Sequence, residues 1–268
     1  MNDLFEYFEK EFDNIIKKTE KIDKSSIKEN IYISKENNID IIFKYFKENQ
    51  NLEKLKILTG FIKKFFIFMK KISGKYPKYK EIYIVENRKI NNLDFSGINK
   101  GGNWIIIENF DNLDYWTFFH EMIHIYNFHS MAGFIVEGFA DFLSYLFLTT
   151  NNFSTSSKHK RLIKKHFRRL KTKDFPLYDS LKKDYNKTVD KGYKNAQAYS
   201  KSFLFWKMIY EEFGIDPIKD AFRMSIKNKK MNAVNVKNIL KKYTDQPISY
   251  MSGWILTGDY YHLPKLNF

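Results

Sequence analysis

The pentapeptide His120-Glu121-Met122-Ile123-His124 constrains this chain more than any other stretch. On an α-helix, positions i and i+4 differ by about 40° in direction and about 6 Å in rise, so two imidazoles can point at one atom. The face that carries them also carries Trp116, Phe119 and Ile123, and is therefore an inward face. Buried imidazoles need partners. Two readings meet that need: a bound cation, or core histidines satisfied by neighbouring side chains. Zinc takes neutral imidazole nitrogens at about 2.0–2.1 Å, and a catalytic site keeps three protein ligands and leaves one position to water. Glu121, about 100° round the helix from His120, would flank that water as a proton acceptor.

A third ligand discriminates between kinds of site. A metzincin pattern requires Gly at 127 and His at 130; the chain has Asn127 and Ser130, and His129 is one position out of register. That places His129 about 140° around the helix from His124, which favours a structural role for it. Glu137, thirteen residues after His124, follows at a distance that allows a turn and a returning helix, and Asp141 shares its face at i+4. An acid at 141 suits the role of accepting the free N–H of a ligating histidine and fixing its tautomer. The alternative is a pair of acids at the solvent edge of an apolar helix. Phe134, Ile135, Val136, Phe139 and Phe142 leave that helix little solvent face.

The absence of cysteine excludes a disulfide framework and any thiolate metal site, so a metal would be held by His, Asp or Glu. A net charge of +15 would attract polyanions, yet the basic residues are spread along the whole chain, as on a solvated surface. The N-terminus has acids within its first turns and lacks the basic start and continuous apolar run of a secretory signal, so the chain reads as cytoplasmic. Its apolar windows are too short or too charged to span a bilayer.

Along the chain, residues to about 73 read as helices, chiefly "LFEYFEKEFDNIIKK" and "NLEKLKILTGFIKKFFIFMKKI". Short β-branched runs at 81–87 and 103–110 announce a small sheet. Asp111 or Asp114 can cap a helix running through "YWTFFHEMIHIYNFH", and a second helix follows Gly133. The remainder to about 258 is mostly helical. Gly214 supplies a C-cap there, and Asp216-Pro217 a fresh start. On the helix "KHKRLIKKHFRRLK", Leu162, Ile163, Phe167 and Leu170 gather on one side, while the basic residues, His159 and His166 take the other. The expected organisation is a helical extension at 1–75, a sheet and metal-helix unit at 76–150, and a helical unit at 151–268.

The segment "WTFFHEMIHIYNFHSMAGFIVEGFADFL" resembles the active-site segment of the peptidase MA-like gluzincins, an HExxH helix followed by a helix carrying Glu-Gly-x-Ala. "AYSKSFLFWKMIYEEFG" resembles their following segment. The resemblance covers roughly residues 80 to 225, with specific motifs at 116–142 and 199–214. It implies an α+β, predominantly helical fold: a zincin-like core with a helical C-terminal lobe and an N-terminal extension. It also implies Zn2+ on His120, His124 and Glu137, with Glu121 as general base and Asp141 orienting a ligand histidine. Tyr199, in Tyr-Ser-Lys-Ser, matches the tyrosine that serves the oxyanion in gluzincin aminopeptidases, where the fourth residue is Gly. The Gly-x-Met-Glu-Asn strand of those aminopeptidases is lacking, since "IIIEN" has neither its Gly nor its Met and Glu108 lies only twelve residues before His120. The implied activity is therefore endopeptidase rather than aminopeptidase, with a polypeptide substrate added along strand 103–107 as a sheet edge. A basic nucleic-acid-associated protein with a structural metal site is the alternative, and is not favoured.

Overall fold

The computed structural model describes residues 29–36, 38–46, 52–86, 97–99, 102–107, 110, 113–126, 133–153, 155, 157–169, 191–228, 233–256 and 259–265. Five strands form one sheet: β1 (Glu29–Glu36), β2 (Ile39–Phe46), β3 (Glu81–Glu86), β4 (Gly97–Asn99) and β5 (Trp104–Ile107), in the order β1-β2-β3-β5-β4. The inner three are mutually parallel, and the edge strands β1 and β4 run antiparallel to their neighbours. The described chain is α+β and mainly helical.

Two expectations are corrected here. Residues 29–46 are not helical but form a hairpin. Ile39, Ile41, Phe43 and Tyr45 alternate into the core at the period of a strand. Asn38 takes a left-handed φ of 64°, which asparagine tolerates in a tight turn. The N-terminal segment thus supplies two strands of the sheet that carries the site. Strand β5 is likewise not an edge. β4 pairs along it through Gly97↔Ile107, Ile98↔Ile106 and Asn99↔Ile105, so among the described residues the outermost strand on that side is β4. The helix expected at 4–18, together with Glu108, Asp111 and His129, lies outside the described residues.

Helix α1 (Leu52–Ser73) links β2 to the parallel β3, and it buries Leu55, Leu58, Ile62, Phe65, Phe66, Met69 and Ile72 at three- and four-residue spacing. Helix α2 (Tyr115–His124) carries the histidines and α3 (Gly133–Thr150) the acids. Three rings lock these helices together: Phe65 stacks on Phe119 at 4.9 Å, and both meet Phe147 edge-on, at 5.1 and 4.6 Å. Each fully buried ring contributes about 1.5–3 kcal/mol. Phe119 immediately precedes His120, so the cluster that stabilises the core also fixes the histidine-bearing helix α2.

Helices α4 (Ser157–Arg169), α5 (Lys191–Phe213), α6 (Asp216–Asn228), α7 (Ala233–Leu240) and α8 (Pro247–Met251) complete the described chain. Gly214, at φ 73°, donates to Tyr210 O at 2.9 Å and ends α5 where the sequence placed its stop. Arg223 of α6 donates to Ile72 O at 3.0 Å, which ties the C-terminal helices to the end of α1.

Candidate metal centre

Asp114 is the N-cap that starts α2. Its Oδ1 accepts the Trp116 backbone N–H at 3.1 Å and its Oδ2 the Thr117 hydroxyl at 2.9 Å. Of the two caps the sequence offered, this one sets the register of the histidines. The described helix ends at His124, with Ile125 as C-cap.

His120 and His124 are both buried, and Glu137 of α3 reaches them from the facing helix. The three donor atoms form a small triangle: His120 Nε2 to His124 Nε2 is 3.1 Å, His120 Nε2 to Glu137 Oε2 is 2.9 Å, and His124 Nε2 to Glu137 Oε2 is 3.4 Å. Ligand atoms about 2.0–2.1 Å from one tetrahedral ion lie about 3.3–3.4 Å from each other, so these edges approximate one face of a zinc coordination sphere. The other ring nitrogen of His120 is 2.8 Å from Asp141 Oδ1. A carboxylate can only accept, so Nδ1 carries a proton, and a cation in the triangle would be met by the Nε2 lone pair of the then neutral ring. The residues present therefore fit a dication with nitrogen and oxygen ligands.

Electrostatics within this cluster are tightly coupled. Burial alone would lower the His120 pKa, but the charge and hydrogen bond of Asp141, with those of Glu137, outweigh it and hold the ring well above its ordinary value. Burial would conversely raise Glu137, and the charge and hydrogen bonds of His124 and His120 reverse that, holding it well below the carboxylate range. Both directions report the same fact: the carboxylates demand a positive charge between them.

Tyr199 of α5 belongs to the same neighbourhood. Burial, then the negative charges of Glu137, Asp141 and Glu121, push its phenol well above the usual value. It reaches the site through an unusually close helix contact. A Cβ placed on Gly138, next to Glu137, would lie 2.3 Å from Ser202 Cβ and 2.6 Å from the Phe203 backbone nitrogen. Ser202, where the aminopeptidase pattern has Gly, follows Tyr199 by three residues on the same helix. Glu121 is partly exposed at the flank of the histidine face.

Sequence reasoning misplaced one histidine and overlooked one tryptophan. His159 was expected on the solvated side of α4, but it lies one turn before the buried Ile163, and its ring stacks on Trp116 with centroids 5.0 Å apart and planes 8° off parallel. Counting by four from Ile163 would have found it. Arg161, Lys165 and Arg168 do face outward, as expected of that helix. Trp116 sits one turn before His120, and its indole Nε1–H donates to Asp141 Oδ1 at 3.3 Å. Its spacing of four from a candidate ligand was the available signal.

No family model and no curated protein sequence matches this chain. Solved structures do. The M1 zinc metallopeptidase from Deinococcus radiodurans superposes with a TM-score of 0.62 at 12% identity, covering 89% of this chain and 53% of its own. A mutant of that enzyme bound to a Tyr-Ser-Ala substrate gives 0.54 at 10% identity, covering 90% and 54%. A two-domain M1 zinc metallopeptidase mutant bound to L-arginine gives 0.59 at 10% identity, covering 89% and 54%. The chain thus spans about half the length of these structures. At such identities the likeness is one of fold: an α+β, zincin-like core with helical lobes. Beside it, the His120, His124, Glu137 cluster has the composition of a gluzincin HExxH…E site. Among the described residues, no helix is long and apolar enough to cross a membrane.

Proposed function

We infer that this chain is a zinc-dependent peptidase of gluzincin type, with His120, His124 and Glu137 as ligands and a polypeptide as substrate. The observation that carries the reading is the donor triangle of 2.9, 3.1 and 3.4 Å backed by Asp141 on the far nitrogen of His120. When bound, zinc supplies a Lewis acid at the scissile carbonyl and acidifies a water at neutral pH. Glu121 accepts a proton from the attacking water and returns it to the departing amine nitrogen. Asp141 keeps the Nδ1 proton on His120, which holds that ring in one tautomer throughout. Tyr199, kept neutral by its surroundings, donates its hydroxyl to the carbonyl oxygen as negative charge develops there. Among the described residues β4 is the outermost strand on that side, and an extended peptide adds beside it.

The finer reading is endopeptidase. It rests on the missing Gly-x-Met-Glu-Asn strand, which in the aminopeptidases holds the free amine of the substrate. Two of the structural neighbours hold a Tyr-Ser-Ala substrate and L-arginine, so the competing outcome is cleavage from the N-terminus. One experiment addresses both levels. The zinc-loaded chain is incubated with an unfolded protein and with one peptide in N-acetylated and free-amine forms. Internal cleavage of the acetylated peptide supports the endopeptidase; release of the first residue from the free form only supports an aminopeptidase. Glu121→Gln, which keeps the shape of the side chain but not its basicity, abolishes either activity while retaining zinc. Equal cleavage by wild type and Glu121→Gln refutes the catalytic reading.

A further inference from the structure

Helices α2 and α3 meet in antiparallel register, with each acid of α3 answering two groups one turn apart on α2. Glu137 faces His124 and His120; Asp141 faces His120 and Trp116. Two N–H donors thus converge on the single oxygen Oδ1 of Asp141, the His120 ring at 2.8 Å and the Trp116 indole at 3.3 Å.

Trp116 is itself held at three points. Its backbone N–H is fixed by Asp114 Oδ1 at 3.1 Å, one face of its ring lies against His159, and its indole N–H ends on Asp141. His159 Nδ1 in turn lies 3.4 Å from Asp114 Oδ2, so the stack and the helix cap brace each other. Tyr145 and Phe203 close around the indole at 5.4 and 5.7 Å, and the side chain is fully buried. A donor so confined has one orientation. A carboxylate with only one donor can rotate about its Cβ–Cγ bond; a second donor in the same buried space restricts that rotation.

We propose that Trp116 is a positioning residue of the metal centre: its indole N–H fixes Asp141 Oδ1, and through that oxygen the plane and tautomer of the His120 imidazole. This rests on the zinc reading of the site. It also differs from a core-packing role for the indole, which would need its bulk and not its N–H.

The test separates these. Zinc affinity is measured by competition with a chromophoric chelator for wild type, Trp116→Phe, and a protein carrying β-benzothienylalanine at position 116, in which sulfur replaces the N–H and the ring size is kept. Both substitutions weaken zinc binding by about 10–100-fold, the usual cost of losing an outer partner of a ligating histidine. The sulfur isostere does so with an unchanged melting temperature, and it serves should Trp116→Phe fold poorly. In an Asp141→Ala background, the isostere adds less than about twofold, because the path through Asp141 is already gone. Wild-type affinity in the isostere, or an equal further loss in the Asp141→Ala background, overturns the proposal. Crystal structures of wild type and isostere supply a readout independent of metal: the 2.8 Å contact between Asp141 and His120 lengthens or breaks in the isostere. A wild-type chain that binds no zinc refutes the metal reading, while an unchanged contact in the isostere refutes the positioning role.

Discussion

Gly138 and Ser202 meet where α3 and α5 approach most closely: a Cβ on the glycine would stand 2.3 Å from the serine Cβ, well inside any real carbon–carbon contact. One neighbour of this contact is Glu137. Three residues before its other side stands Tyr199. The spacing between the helix of Glu137 and the helix of Tyr199 is therefore set by the absence of a single methyl group.

Gly138→Ala forces that spacing open. Overpacking of a fixed interface costs about 1–3 kcal/mol, and here the backbone nitrogen of Phe203, 2.6 Å from the same point, cannot step aside as a flexible side chain would. The expected result is a lower urea midpoint and a fall in turnover, with zinc retained. Adding Ser202→Gly recovers only part of the stability, since the Phe203 nitrogen remains. Full recovery in the double variant would place the whole constraint on the serine side chain.

The site was more legible than the sheet that carries it, and the reasons are physical. His120 and His124, and likewise Glu137 and Asp141, stand four apart on a helix, a spacing that can be read from sequence. Asp114 likewise shows itself by position before an apolar run. The hairpin at 29–46 was hidden because Lys35, Asn38, Asp40 and Lys44 interrupt its short β-branched runs, beside segments of strong helical period. β4 is three residues of Gly97-Ile98-Asn99 in an Asn- and Gly-rich stretch, and only its pairing with β5 makes it a strand. Gly138 was read as part of a motif, and its reason, the proximity of Ser202, is a tertiary fact. Trp116 looked like core because it is core; its hydrogen bond to Asp141 depends on how α2 faces α3.

Glu137→Ala removes the one oxygen of the donor triangle. Without it, His120 and His124 offer two ligands, too few for a tight site. Metal analysis of purified protein is expected to fall from about one zinc per chain to a small fraction of that. His129→Ala, one position out of the metzincin register in sequence, keeps full occupancy. The opposite pattern would overturn the ligand assignment.

Asp220 gives a stability prediction remote from the site. Burial would raise its carboxyl, but hydrogen bonds from Lys242 at 2.9 Å and Tyr243 at 3.1 Å, with the charges of Lys242 and Arg223, hold it below the ordinary value. A carboxylate with a depressed folded-state pKa stabilises fully above its unfolded value, about 3.9, and loses that contribution as pH falls through the folded one. Asp220→Asn is thus expected to melt lower than wild type at neutral pH, with the gap closing in acid. Melting curves from pH 7 to pH 3 test it; a constant gap would assign the loss to packing.

Tyr199 provides the sharpest test of chemistry against structure. Its phenol is pushed well above the usual value by burial and by the charges of Glu137, Asp141 and Glu121, so it stays protonated, and a donor, across the neutral range. Tyr199→Phe removes one oxygen and leaves the ring to pack. If the hydroxyl serves the developing oxyanion, kcat falls by about 10²–10³, or roughly 3–4 kcal/mol, with KM little changed, because a neutral ground-state carbonyl draws less on the donor. Zinc content and melting temperature hold. The shape of the pH profile also holds, because the raised phenol titrates above the neutral range. A purely structural tyrosine reverses this pattern, losing melting temperature and keeping turnover in the surviving fold. The decisive measurement is kcat and melting temperature for the two proteins on one cleavable peptide, and an unimpaired kcat in the Phe variant takes Tyr199 out of the mechanism.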